Sequence, residues 1–136
     1  MAKKALTALI PNYSQAAKVG ATLYVSGILA TKPGSGDLVT GGIEHQTRQT
    51  LENLKEVLHR HGFKLEDVAK TTCYLHDLSD YAKFNQVYAE HFRQPYPSRA
   101  TVGGLDLVLG GLVEIECVAF VGWKASDSLD ASGGVE

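Results

Sequence analysis

The stretch Ile43-Glu44-His45-Gln46-Thr47-Arg48-Gln49-Thr50-Leu51-Glu52-Asn53-Leu54-Lys55-Glu56-Val57-Leu58 changes the period of the chain. Ile43, Thr47, Leu51, Leu54 and Leu58 fall three or four apart, while Glu44, Arg48, Glu52, Lys55 and Glu56 fill the other face, as in an amphipathic helix. Gly62, just past His59-Arg60-His61, suits the left-handed turn that closes a helix, and those basic side chains suit the negative end of its dipole. Such a helix has one face to bury, so its neighbours along the chain decide what it packs on.

Before the helix, Ala21-Thr22-Leu23-Tyr24-Val25-Ser26-Gly27-Ile28-Leu29 mixes β-branched, aromatic and aliphatic residues and runs into the turn-rich Lys32-Pro33-Gly34-Ser35-Gly36-Asp37. A shorter strand near Ala16–Val19 joins it across Gly20-Ala21 in hairpin fashion. After the helix, Val68 to Leu75 is again strand-like, and Asp77-Leu78-Ser79-Asp80 offers capping oxygens to a second helix. Tyr81, Phe84, Tyr88 and Phe92 form the apolar stripe of that helix, which Pro95 and Pro97 terminate. Strands near Arg99–Gly103 and Leu112–Gly122 follow. The order β-β-α-β-α-β-β predicts an α+β domain, one mixed sheet with both helices on one face. Its second face, carrying more aliphatic residues, calls for self-association.

The 136 residues suit one domain, which we place at 1–123. The small, polar stretch 124–136 has little to bury and is expected to be a flexible tail. A formal charge of −2, with Lys and Arg scattered, makes nucleic acid a poor first guess. Met1-Ala2-Lys3-Lys4 precedes too short an apolar stretch for a signal peptide, and no run reaches membrane-spanning length. A reducing cytoplasm is the simplest compartment, with Cys73 and Cys117 read as buried structural thiols.

Neither a metal motif nor a phosphate-cradling loop is spelled out. His59 and His61 are two apart on a helix and point in different directions, and Lys32–Asp37 lacks dinucleotide or P-loop spacing. Ser26-Gly27 lacks the surroundings of a nucleophile elbow. What remains is Pro97-Ser98-Arg99-Ala100-Thr101-Val102 and Val113-Glu114-Ile115-Glu116. In the latter, alternation puts both carboxylates on one face. Taken alone, this also suits an edge strand with a solvated acidic side, and Arg99 also suits an ordinary surface arginine.

Five segments in order resemble the Rid (reactive intermediate deaminase, or YjgF-like) family. They are Tyr13-Ser14-Gln15-Ala16, Leu23-Tyr24-Val25-Ser26-Gly27, Gly42 to Leu54, Asn85-Gln86-Val87-Tyr88 and Val113-Glu114-Ile115-Glu116. The resemblance runs from Tyr13 to about Val121. It implies a chorismate-mutase-like fold and a homotrimer with a barrel-like core and pockets between subunits. It also implies cofactor-free hydrolysis of enamines and imines, of the 2-aminoacrylate or 2-iminopropanoate type, to 2-keto acids and ammonia. Under it, Arg99 holds the substrate carboxylate, Glu114 positions or activates water, and Tyr13 lines the pocket and orients water or the amino group. Ser26, Gly27, Ile28 and Thr101 lie beside the substrate.

Three positions depart from the family pattern: Ile28 where Gln is frequent, Thr101 where Cys or Ser is frequent, and Val108 where Pro follows Leu. These changes bear on substrate choice more than on the reaction. The alternatives are a non-catalytic trimeric binder of small carboxylates and a pathway-specific deaminase for a larger enamine such as an aminomuconate-type acid. Ribonuclease activity, reported for some members of the family, fits the charge poorly.

Overall fold

The computed structural model describes residues 12–136, so the reading of Met1–Lys4 and the first part of the 1–123 domain lie outside the described residues. The elements are β1 (Ala16–Val19), β2 (Thr22–Ile28), α1 (Ile43–Arg60), β3 (Val68–Leu75), α2 (Tyr81–His91), β4 (Ser98–Val102) and β5 (Val113–Phe120). Their order is the one expected from periodicity. They build one five-stranded sheet in the order β1-β2-β5-β3-β4. All neighbours are antiparallel except β3 and β4, which run parallel because α2 supplies the long crossover such a pair requires. The Val113–Phe120 segment is thus the central strand, which removes the edge-strand alternative for its acidic face.

One face of the sheet is covered. Leu23, Val25 and Ile28 of β2, Cys73 and Leu75 of β3, and Val113, Ile115, Cys117 and Ala119 of β5 form the core with Leu51, Leu54 and Leu58 of α1 and Phe84 and Tyr88 of α2. Alternation along β5 leaves Glu114, Glu116, Val118 and Phe120 on the other face, beside Tyr24 of β2 and Tyr74 of β3. That face is mixed. Val19, Tyr24, Val102 and Phe120 are exposed aromatics and aliphatics, whereas Glu114, Glu116 and Tyr74 make its other end polar.

Local chemistry explains the element ends. Gly62 takes φ +81°, its N–H donates to the His59 carbonyl and that of Phe63 to the Leu58 carbonyl, the paired bonds of a Schellman close. Asp77 accepts from the Ser79 N–H and so caps a single turn at Leu78–Asp80 that leads into α2. The helix itself starts without a side-chain cap. Polar residues near the apolar stripe of α1 tie down loops. Buried Gln46 accepts from the Leu112 N–H, and part-buried Asn53 donates to the carbonyls of Leu29 and Thr31. Cys73 and Cys117 are free and buried, and burial pushes both thiols up to about 12. Among the described residues, no helix is long and apolar enough to cross a membrane.

Candidate functional site

Arg99 sits on the edge strand β4 and pairs in register with Thr71 of β3, a residue buried on the helix side. Its guanidinium therefore reaches toward α2. One terminal nitrogen donates to Asn85 Oδ1 at 2.8 Å and the other to the Tyr81 hydroxyl at 2.9 Å, and the group lies 4.8 Å from the centre of the Tyr88 ring. Asn85 and Tyr88 are three apart and Tyr81 and Asn85 four apart, so one turn-and-a-bit of α2 presents all three to the same point. Two neutral oxygens and an aromatic face orient the cation without neutralising it.

The Nε side of that guanidinium faces a carboxylate. Glu136 Oε1 accepts from the Thr101 backbone N–H at 2.9 Å, and Glu136 Oε2 stands 3.6 Å from Arg99 Nε. The backbone N–H bond from Thr101, reinforced by Arg99, holds the Glu136 carboxyl below the usual carboxylate range. The N–H can do this because β4 is an edge strand with no neighbour on its outer side among the described residues. The Thr101 hydroxyl is buried without a partner. What Thr101 offers a ligand is thus its backbone.

Glu114 lies elsewhere. It pairs with Tyr74 on β3, three residues on from Thr71 and hence on the opposite face from Arg99. Two strand spacings of about 4.8 Å and three residues of about 3.3 Å put the two Cα atoms roughly 14 Å apart. Within one chain these side chains cannot grip the same small acid. Burial first, and then the charge of Glu116, raises the Glu114 carboxyl above its ordinary value. Glu116 itself accepts from the Tyr74 hydroxyl at 2.5 Å, which pushes that phenol up to about 12.

Gly27 explains how Glu114 is seated. The β2–β5 register shifts between Val25 and Ile28, and a Cβ built on Gly27 would overlap the Glu114 carboxylate. The missing side chain makes the space that the carboxylate fills. Ser26, next along the bulge, donates from Oγ to the Ser14 carbonyl at 2.6 Å and from its N–H to the Gln15 carbonyl at 2.9 Å. This ties down the segment that carries Tyr13, a residue 71% exposed. Ile28 pairs with Ile115 and points into the core, so it has only its backbone to give a ligand.

The expected residues therefore fall into two separate groups, candidate half-sites only: Arg99 with Thr101 on the helix side of β4 and Glu114 with Gly27 on the open face. Sequence analysis does not single out the neighbours of Arg99: Tyr81 and Tyr88 are accounted for there by their place in the apolar stripe of α2, and Asn85 only by its family segment. The 3–4 spacing of hydroxyl and amide groups on α2 was the available signal. Residues 128–136, expected to be flexible, lie over this half-site and wall a cavity with Asn85, Tyr88 and Arg99.

Comparison with known proteins bears on the whole arrangement. The family model described as "Endoribonuclease L-PSP" matches residues 3–121. A RutC family protein from Pyrococcus horikoshii is 45% identical over 108 residues, covering 79% of this chain and 86% of that one. The 2-iminobutanoate/2-iminopropanoate deaminase of Bos taurus is 40% identical over 122 residues, 90% of this chain and 89% of its own. The crystal structure of RidA from an Antarctic Psychrobacter species superposes with a TM-score of 0.78 at 41% identity, over 84% of this chain and 92% of that one. With the order of elements, the sheet and the five quoted segments all accounted for by that likeness, the chain belongs to the Rid/YjgF, or L-PSP, family.

Proposed function

We propose that this protein hydrolyses imines of 2-amino acids, and the enamines that tautomerise to them, to 2-keto acids and ammonia. The observation that carries the reading is the Glu136 carboxylate beside Arg99 Nε and on the Thr101 N–H, a cationic and a backbone donor whose placement suits the acid group of a small molecule. The deaminase name of the Bos taurus relative supports the same chemistry. In the reaction, Glu114, whose raised carboxyl makes it a better base than an exposed glutamate, takes a proton from the water that adds to the C=N carbon and passes it to the nitrogen. The carbinolamine then collapses: its hydroxyl gives up the second proton, the C=O bond forms as the C–N bond breaks, and the nitrogen leaves as ammonia. Tyr13, exposed just ahead of β1, orients the water or the amino group in this reading.

The separation of the half-sites sets the assembly. A substrate held on Arg99 of one copy meets Glu114, Gly27, Ser26 and Ile28 of another, so the working form is an oligomer, a homotrimer under this reading, with its open faces inward and β4 edges at the seams. The exposed Tyr24, Val102 and Phe120 are then covered. No cofactor takes part in the proposal, since the imine carbon is already electrophilic. Depending on the apolar wall the second copy presents, the physiological substrate ranges from 2-iminopropanoate to larger, aminomuconate-type acids.

The test generates imines in place with an amino-acid oxidase and follows keto acid against a semicarbazide trap. Wild type accelerates keto-acid release, while Arg99→Ala and Glu114→Gln each fail. Co-refolding the two inactive variants restores hydrolysis at about a quarter of the sites, the fraction that random mixing pairs correctly. Absence of acceleration by wild type on any amino-acid-derived imine refutes the enzyme and leaves a carboxylate binder. Inactive mixtures refute the shared site.

A further inference from the structure

The stretch after Val121 lies beyond the residues that the family model matches. It leaves the sheet at Gly122, where φ is +84°, and is anchored by the Trp123 Nε1 bond to the Glu66 carbonyl at 3.0 Å. Beyond that point its hydrogen bonds are mostly local, between Ser126 and Ser128 and between Asp130 and Ser132. Val135 is fully exposed, and the segment returns to the domain at Glu136. Little apolar burial holds it there, so the Glu136 contact can open without disturbing the core.

Glu136 nonetheless occupies a specific place. Its two oxygens take the Thr101 N–H and face Arg99 Nε, the donors that the proposed function assigns to the substrate's acid group. A substrate carboxylate and the Glu136 carboxylate present the same charge and the same pair of oxygens to those donors, and both cannot be there at once. We propose that Glu136 is an internal ligand of the acid subsite, which an incoming small acid must displace, so that this residue sets the affinity and selectivity of the site for carboxylates. The inference rests on the functional reading of Arg99, although competition for the site can be measured without turnover. Asp130 on the same segment lines the same cavity and adds negative charge to it, which further favours ligands that make contacts beyond the acid group.

The Arg99 and Glu136 side chains are 16% and 36% exposed, so their attraction is screened and modest. A contact of that class closes the site for most, but not all, of the time, and apparent ligand affinity falls in proportion to the open fraction, by about 2- to 5-fold. The experiment titrates pyruvate and acetate into wild type, Glu136→Gln and Glu136→Asp by calorimetry, and measures imine hydrolysis in parallel. The inference expects Glu136→Gln to tighten pyruvate about 2- to 5-fold and to lower KM by a similar factor, with the gain in KM rather than kcat. Glu136→Asp falls between the two, and removal of residues 127–136 reproduces the Gln variant. Unchanged or weakened pyruvate binding in Glu136→Gln overturns it. Tightened pyruvate binding in a protein that hydrolyses no imine keeps the internal ligand and discards the deaminase. Hydrolysis with pyruvate affinity indifferent to Glu136 does the reverse.

Discussion

Replacing Arg99 is the sharpest perturbation of the proposed chemistry. The guanidinium makes bonds of 2.8 and 2.9 Å to Asn85 and Tyr81 and keeps its Nε side toward the Glu136 carboxylate, where the proposal seats the substrate's acid group. In Arg99→Ala a bound acid retains only the Thr101 N–H. A hydrogen bond to a charged group contributes about 1.5–3 kcal/mol, so kcat/KM should fall about 10- to 150-fold for each such bond lost. The same change leaves the Asn85 carbonyl and the Tyr81 hydroxyl without their donor, a cost of about 1–3 kcal/mol to the fold if water does not replace it. Arg99→Lys separates the two effects. It retains the charge but not the planar fork, so it should bind the acid more weakly than wild type and remain better folded than the alanine variant. Oxidase-coupled keto-acid release, read with circular dichroism melting and sedimentation on the same samples, measures both. A kcat/KM for Arg99→Ala within threefold of wild type, with the oligomer intact, would refute the carboxylate clamp.

Gly27→Ala should reduce kcat at least tenfold with little change in pyruvate affinity, because the added Cβ displaces the Glu114 carboxylate and not Arg99; an unaltered kcat argues against Glu114 as the base. The raised Glu114 carboxyl places the acid limb of the kcat/KM profile above the ordinary 4.5, and Glu116→Gln should move it down by removing the neighbouring charge. An acid group raised on folding contributes stability below its unfolded pKa and loses it as pH rises from there through the folded value. Glu114→Gln should therefore melt at the same temperature as wild type or higher at pH 7, even as hydrolysis is lost. Gly62→Ala should cost about 1 kcal/mol, read as a lower denaturant midpoint, because Gly62 closes α1 at φ +81°.

Much of the site's vocabulary was readable in advance, though not its grammar. Alternation along Val113–Phe120 places Glu114 and Glu116 together, and that pattern survives in the structure because a strand has a period of two whatever its neighbours are. Which face the pair occupies relative to Arg99 depends on the register of β3 against both β4 and β5, a sum of non-local pairings that no local pattern encodes. For the same reason Ile28, adjacent to the glycine that seats Glu114, turns into the core: the β2 bulge shifts its phase.

The amino-acid order by itself determined the elements, their periods and their ends, since these follow from apolar spacing, glycine at a positive φ, and proline, all of which act within a few residues. Tertiary structure alone decided that β5 is central, that Tyr81, Asn85 and Tyr88 cradle Arg99, and that Glu136 meets Arg99 and the Thr101 N–H. Those contacts join residues 11 to 37 positions apart in the chain around Arg99. They exist only when sheet register and helix packing have been satisfied together, a condition imposed by the whole core rather than by any segment of it.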